Sequence, residues 1–185
     1  MENVINLKNI FNLEEADKII KVGDNLKISD ATVLKDTEFH KDADERTLRD
    51  HSFRKTKVSW IAPPIDAAWM IPHIYKIWNK HGMYEQFEIL QYAIYNKGGH
   101  FDWHIDHVKR PPGSRVERKS AAIVQLSDSS EYEGGNLEIN YNGKISSIEK
   151  KKGLVTILPI DMPHRVTEVT KGIRKSLVIW ALGLI

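Results

Sequence analysis

His104, Asp106, His164 and Arg174 are the residues whose types and spacing could do chemistry in this chain. Two imidazoles and one carboxylate can occupy one face of an octahedral Fe(II) and leave the opposite face open for small ligands. His104 and Asp106 stand at i and i+2, which points both to the same side of an extended chain. Arg174 adds a planar guanidinium whose fork can bind a carboxylate through two parallel hydrogen bonds. A His-x-Asp triplet is common, and 8 histidines make chance pairings easy. The joint pattern carries the reading. A Gly98-Gly99 turn precedes the triplet, and a Glu133-Gly134-Gly135 turn lies between the ligands. Pro163 precedes His164, and Arg174-Lys175-Ser176 opens an apolar terminal run. His73, His81, His100 and His107 have no partner at ligand spacing, and His107 points away from Asp106 on an extended chain.

The elements that must hold these residues are short strands from Gln86 onward. Phe87 to Tyr95, His100 to Asp106 (a strand and its exit), Lys119 to Ser127 and Asn136 to Asn140 read as strands, as do Ile145 to Ile148, Leu154 to Leu158, His164 to Val169 and Arg174 to Leu182. Tyr141-Asn142-Gly143-Lys144 is a hairpin signal. Regular short strands with Gly-rich turns indicate a sandwich or jelly roll. Upstream, residues 13–23 read as a short amphipathic helix with Asn12 as its cap. Lys57 to Ile61 alternates as a strand and stops at Pro63-Pro64. Ile65 to His81 places Trp69, Ile74, Ile77 and Trp78 at helical spacing, with Pro72 as a kink or break. Residues 39–55 are polar and densely charged and read as a solvated loop. The expected fold is α+β dominated by β: a double-stranded β-helix, or jelly roll, with supporting N-terminal helices. The expected organisation is one domain over 1–185, in which 1–85 supports a core of 86–183.

Composition bounds the rest. A chain of 185 residues with 41% hydrophobic and 28% charged residues can bury a single core. A net charge of +2 is too mild to argue for nucleic acid or a membrane surface. With 0 cysteines there is no disulfide and no thiolate ligand, so a metal must be held by His, Asp or Glu. No leader or membrane-length apolar run is evident, which makes the cytoplasm the expected location.

At Phe101 to Asp106, Tyr132 to Glu138, Gly153 to Pro159 and Pro163 to Trp180 the chain resembles the Fe(II)/2-oxoglutarate oxygenases of the prolyl 4-hydroxylase-like group. Arg54 to Ile61 is similar to the strand that precedes the core in that group. The resemblance implies Fe(II), 2-oxoglutarate and O₂, with ascorbate as a candidate reductant. It implies iron ligation by His104, Asp106 and His164. Arg174 matches the residue that pairs with the distal carboxylate of 2-oxoglutarate. Ser176, two residues along the same strand, can donate a hydroxyl hydrogen bond to it. Tyr95 matches a tyrosine that contacts the co-substrate and equally suits a core aromatic. Gln125 falls where some relatives carry a second co-substrate tyrosine, a departure from the pattern. Trp180 reads as core packing. Asp106 is retained where related halogenases carry a small residue, which argues for hydroxylation.

For the substrate, the resemblance favours a protein or peptide hydroxylated at proline. The 39–55 loop sits where prolyl hydroxylases carry a mobile substrate-covering loop. A free amino acid or other small molecule is the alternative. Nucleic-acid demethylation is weakened because that group shows a second Arg where this chain has Trp180. A metal-free binding module is disfavoured by the complete ligand set. Residues 107–119 carry five Lys/Arg against one Glu directly after Asp106, and read as a basic rim or a solvated loop. Nothing in the residues sets the oligomeric state.

Overall fold

The computed structural model describes residues 4–34, 47–48, 50–79, 86–108 and 113–185. Two antiparallel sheets form the double-stranded β-helix that the turn pattern predicts. The larger runs in the order Ile5–Leu7, Val155–Pro159, Val116–Gln125, Arg174–Leu184, Leu90–Tyr95, Lys57–Ile61 and Ser29–Asp30. Gln86–Phe87 pairs beside the end of Arg174–Leu184. The smaller sheet runs Lys144–Ser147, Leu137–Tyr141, His164–Val166, His100–His104 and Arg54–Lys55. Two further ribbons pair Tyr132–Gly134 with Val169–Gly172 and Val33–Leu34 with Thr47–Leu48.

Alternation along the strands divides the larger sheet into two faces. On the outer face Tyr92, Leu177 and Val124 are cross-strand neighbours. They pack under the Leu13–Asn25 and Ile71–Asn79 helices in a core that includes Ile19, Ile74 and Trp78. On the inner face the register aligns Val58 with Ala93, Ala93 with Ser176 and Ser176 with Gln125. Val178 pairs with Gln91, and Trp180 with Ala121. This face and the smaller sheet enclose a second core of Ala93, Tyr95, Ile123, Leu137 and Val166. The inner face therefore carries every polar group that the larger sheet lends to the site.

Several expectations change in detail. The first helix begins as predicted, with a capping box between Asn12 and Glu15, and runs on to Asn25. The helix expected over 65–81 is a Pro63–Asp66 turn, a 3-10 turn at Ala68–Met70 and the Ile71–Asn79 helix. The break falls at Ala67, with φ −158° and ψ 55°, and not at Pro72. Pro72 sits in the first turn of its helix, where a missing N–H costs nothing. The His100 segment is a strand to His104 with Asp106 in its exit, as expected. Asn142 and Gly143 take φ of 51° and 83°, the left-handed pair a tight hairpin needs. No helix among the described residues is long and apolar enough to cross a membrane.

The 39–55 loop falls in part outside the described residues. Where it is described it departs from a solvated connection: Thr47–Leu48 and Arg54–Lys55 are strands, and Arg54 is buried. The basic 107–119 segment is likewise only partly a loop. Val116 to Lys119 belongs to a long strand, and the cations there are engaged, Arg118 with Glu88 and Lys119 with Glu117.

Candidate functional site

His104 ends one strand of the smaller sheet, His164 begins its neighbour, and the two are cross-strand partners. Asp106 lies just beyond the strand. Its backbone N–H donates to Ile160 O at 3.1 Å, which anchors the turn that swings its carboxylate back toward the histidines. His104 Nε2 lies 3.8 Å from Asp106 Oδ1, and His164 Nε2 lies 3.9 Å from Asp106 Oδ2. The three donor atoms all lie within 4.8 Å of one another, a group that can close on one ion.

The surroundings prepare the donors. His104 Nδ1 donates to Asp102 O at 2.7 Å and His164 Nδ1 to Met162 O at 2.9 Å. These bonds fix the tautomer that presents a bare Nε2 lone pair to a metal. Burial, then the neighbouring His164, pushes His104 down to about 3, so the ring is neutral and ready to ligate near pH 7. Burial alone would raise the Asp106 carboxyl. The two histidines, the Trp180 N–H and Arg118 outweigh it and hold the group below the ordinary carboxylate value.

Trp180 corrects the reading of it as mere packing. Its indole N–H donates to Asp106 Oδ2 at 2.9 Å. The Arg118 guanidinium lies 3.8 Å over the same indole, donates to Asp106 O, and is paired with Glu88 at 2.7 Å. The carboxylate is thus held by a relay from Glu88 through Arg118 and Trp180. The even spacing from Arg174 placed Trp180 on the inner face, but nothing in its residue type revealed the bond.

Arg174 is 1% exposed, and no carboxylate among the described residues pairs with it. Its guanidinium lies 5.1 Å from the Tyr95 ring, its cross-strand partner, and donates to Ser176 Oγ at 3.1 Å. It also lies close enough to the Tyr132 phenol to act on it electrostatically, and the Tyr132 hydroxyl accepts from Gln125 Nε2 at 3.0 Å. Arg174 Nε has no partner. Neither the Ser176 nor the Tyr132 hydroxyl proton has an acceptor among the described residues. Two buried hydroxyl protons and the guanidinium's own Nε–H thus have no anion to receive them among the described residues. Such a cluster is costly unless a ligand completes it, and a carboxylate has the right charge and acceptor count. Gly135 is required here, because a Cβ at its φ of 55° would meet Arg174 Cδ at 3.2 Å and Val169 Cγ2 at 2.8 Å.

Tyr95 therefore serves the intersheet core and the Arg174 wall together. Gln125 lies at the pocket, but its amide N–H groups go to Tyr132 Oη and to Ser127 O at 2.9 Å. Tyr132, on another strand, brings a phenol to the wall where Gln125 stands. The one available signal for it was its place before the Glu-Gly-Gly turn.

Arg54 is the other residue the sequence did not single out. Its guanidinium lies 4.3 Å over Phe101, which in turn stacks on His104 at 3.5 Å. It donates to Gln91 Oε1 at 2.8 Å and to Thr32 O at 3.3 Å, while its Nε has no partner. Burial works against its charge, and Tyr95 and Asp106 favour it. Trp60, the cross-strand partner of Gln91, is 42% exposed and lies 6.4 Å from Trp180. Four histidines are spoken for elsewhere or undescribed. His73 pairs with Glu15, His107 with Asp161, and His100 meets the Gly98 and Ser52 carbonyls; His81 lies outside the described residues.

Comparison with known proteins agrees with this geometry. The family model of the 2OG-Fe(II) oxygenase superfamily matches residues 90–182. A PKHD-type hydroxylase of Pseudomonas fluorescens is 35% identical over 94 residues, covering 49% of this chain and 42% of that protein. The chain thus spans about half or less of the curated relatives it matches. A viral collagen prolyl hydroxylase from Paramecium bursaria Chlorella virus-1, solved as a 2OG complex, superposes with a TM-score of 0.68 at 18% identity, over 98% of this chain and 97% of that one. A prolyl hydroxylase from Trichoplax adhaerens, solved with a hypoxia inducible factor peptide fragment, gives 0.64 at 14% identity, over 97% and 83%.

Proposed function

This chain belongs to the 2OG-Fe(II) oxygenase superfamily, and from that premise we propose that it hydroxylates proline in a protein or peptide, using Fe(II), 2-oxoglutarate and O₂. The observation that carries the proposal is the His104–Asp106–His164 group beside a buried Arg174 whose surrounding donors lack an anion. The same reading takes 1–185 as one oxygenase domain, with 1–85 supporting a core of 86–183.

In this reading His104, Asp106 and His164 hold the iron through Nε2, one carboxylate oxygen and Nε2. When bound, iron and 2-oxoglutarate together reduce O₂, releasing succinate and CO₂ and delivering one oxygen atom to a substrate C–H bond. The protein binds, orients and shields. Arg174 receives the distal carboxylate of 2-oxoglutarate, with Ser176 and Tyr132 donating their hydroxyl protons to it. Gln125 acts by fixing Tyr132, and Tyr95 walls the pocket. Trp180 would hold the Asp106 carboxylate in place through Oδ2. Arg54, Gln91 and Trp60 line the open end, where a proline residue would be presented. The relatives' names and the peptide complex in the same fold support a proline in a polypeptide as the substrate.

The test is product analysis. Proline-containing peptides and free amino acids are incubated with the iron-loaded enzyme, and hydroxylated product is measured beside succinate. Peptide hydroxyproline matched to succinate is the expected result. Hydroxylation of free amino acids alone would overturn the polypeptide substrate and leave the site chemistry standing.

A further inference from the structure

Two cations share one tyrosine at the far end of the pocket. Lys150 lies in the connection between Lys144–Ser147 and Val155–Pro159, half-buried, with Nζ 4.6 Å from the centre of the Tyr132 ring. Its ammonium donates to the Gly134 carbonyl. At the other end of the phenol the hydroxyl accepts from Gln125, and Arg174 lies alongside: both the Tyr132 ring and the Arg174 side chain border the Gly135 backbone. Arg174 is near enough that, after burial, it disfavours the charge on Lys150. Neither has an acidic partner among the described residues, although the neighbours of Lys150 show that alternatives exist. Lys151 is exposed, and Lys152 pairs with Asp17.

Like charges held this way repel, and partial burial adds a desolvation cost. The arrangement makes physical sense if an anion completes it. A cation over a phenol ring also draws electron density from it, which makes the hydroxyl a stronger donor. The Tyr132 hydroxyl already accepts from Gln125, and its proton is left to give.

Building on the reading of Arg174 as the partner of the distal carboxylate, we propose that Lys150 is a second cation for that carboxylate. It acts through Tyr132 and makes the pocket select 2-oxo acids with a charged far end. Gly134 fits this role from the backbone side: its carbonyl pins the ammonium, and a Cβ there would meet Glu168 O at 2.1 Å, so the turn that places the carbonyl requires glycine.

The experiment is equilibrium binding to the Mn(II)-loaded protein by calorimetry. The probes are 2-oxoglutarate and 2-oxovalerate, which keeps the chelating end and lacks the distal charge. Lys150→Met should weaken 2-oxoglutarate by roughly three- to tenfold and leave 2-oxovalerate unchanged, and Lys150→Arg should restore the parent affinity. Arg174→Ala serves as the reference and should weaken 2-oxoglutarate far more. If Lys150→Met binds 2-oxoglutarate like the parent while Arg174→Ala does not, Lys150 is only a tether for its loop and the proposal fails alone. Equal loss of both probes in Lys150→Met likewise assigns it a purely structural role. If Arg174→Ala binds 2-oxoglutarate like the parent, the reading of the pocket fails and this proposal with it.

Discussion

At the scale of single residues, the His104, Asp106 and His164 side chains are held in place by the contacts behind them. Trp180 is the sharpest case. Its bond to Asp106 Oδ2 involves a charged acceptor, and such a bond contributes about 1.5–3 kcal/mol. Trp180→Phe keeps most of the ring and removes the donor. It should weaken Fe(II) or Co(II) binding by roughly 10–100-fold with the fold intact, measured by metal titration beside circular dichroism. Unchanged metal affinity would return Trp180 to packing. Arg174→Ala leaves an anionic ligand without its buried partner, a loss of about 3–5 kcal/mol, so 2-oxoglutarate affinity should fall by roughly 10²–10³-fold in direct titration. The grouping of His104, Asp106 and His164 was legible in the sequence because their types are restricted by chemistry and their turns by glycine. Arg54 was not, because a cation in a charged stretch looks solvated. Its burial depends on Phe101 and Gln91, which lie far from it in sequence.

At the scale of elements, two-residue alternation did most of the positioning. It places Arg174, Ser176, Val178 and Trp180 on one face of a single strand, with Gln125 and Tyr95 as neighbours. Where strand meets turn the periodicity stops helping. Asp106 reaches the metal group from beyond its strand, held by the Ile160 carbonyl, so the i and i+2 argument gave the right partner by only part of the right geometry. The Pro63–Asn79 segment shows the same limit. Apolar spacing marked a helix, and the break at Ala67 arises from backbone angles that no side-chain pattern announces. Gly135 tests the coupling of turn to pocket. Gly135→Ala adds a Cβ that meets Arg174 Cδ and Val169 Cγ2 at a left-handed φ. It should cost about 1–3 kcal/mol in urea unfolding and weaken 2-oxoglutarate binding as well. Asn12→Ala, which removes a helix cap remote from the pocket, should cost about 1 kcal/mol and leave that binding unchanged.

At the scale of the whole molecule, the barrel separates two tasks. Its outer face packs helices over an apolar core, and its inner face gathers two imidazoles, a carboxylate and buried guanidinium groups. The second task is costly for folding. His104 stays neutral down to about 3 in the folded chain and takes up a proton near 6.5 when unfolded. Above pH 6.5 both states are neutral and this residue contributes nothing to the pH dependence. Below it the unfolded chain binds a proton that the folded chain refuses, so stability falls with acidification, by about 1.4 kcal/mol per pH unit for one proton. Chelator-treated His104→Asn protein should lose that part of the slope between pH 6 and pH 4 in urea unfolding; an unchanged slope would show that His104 titrates normally. The account as a whole stands on three ligands acting as one unit. The most direct test is 2-oxoglutarate-dependent succinate formation by the iron-loaded enzyme with a proline-containing peptide, compared with His104→Ala, Asp106→Ala and His164→Ala. The account predicts succinate that requires both iron and 2-oxoglutarate in the parent and disappears in each variant. Near-parent turnover in any of the three would remove that residue from the metal and contradict the account.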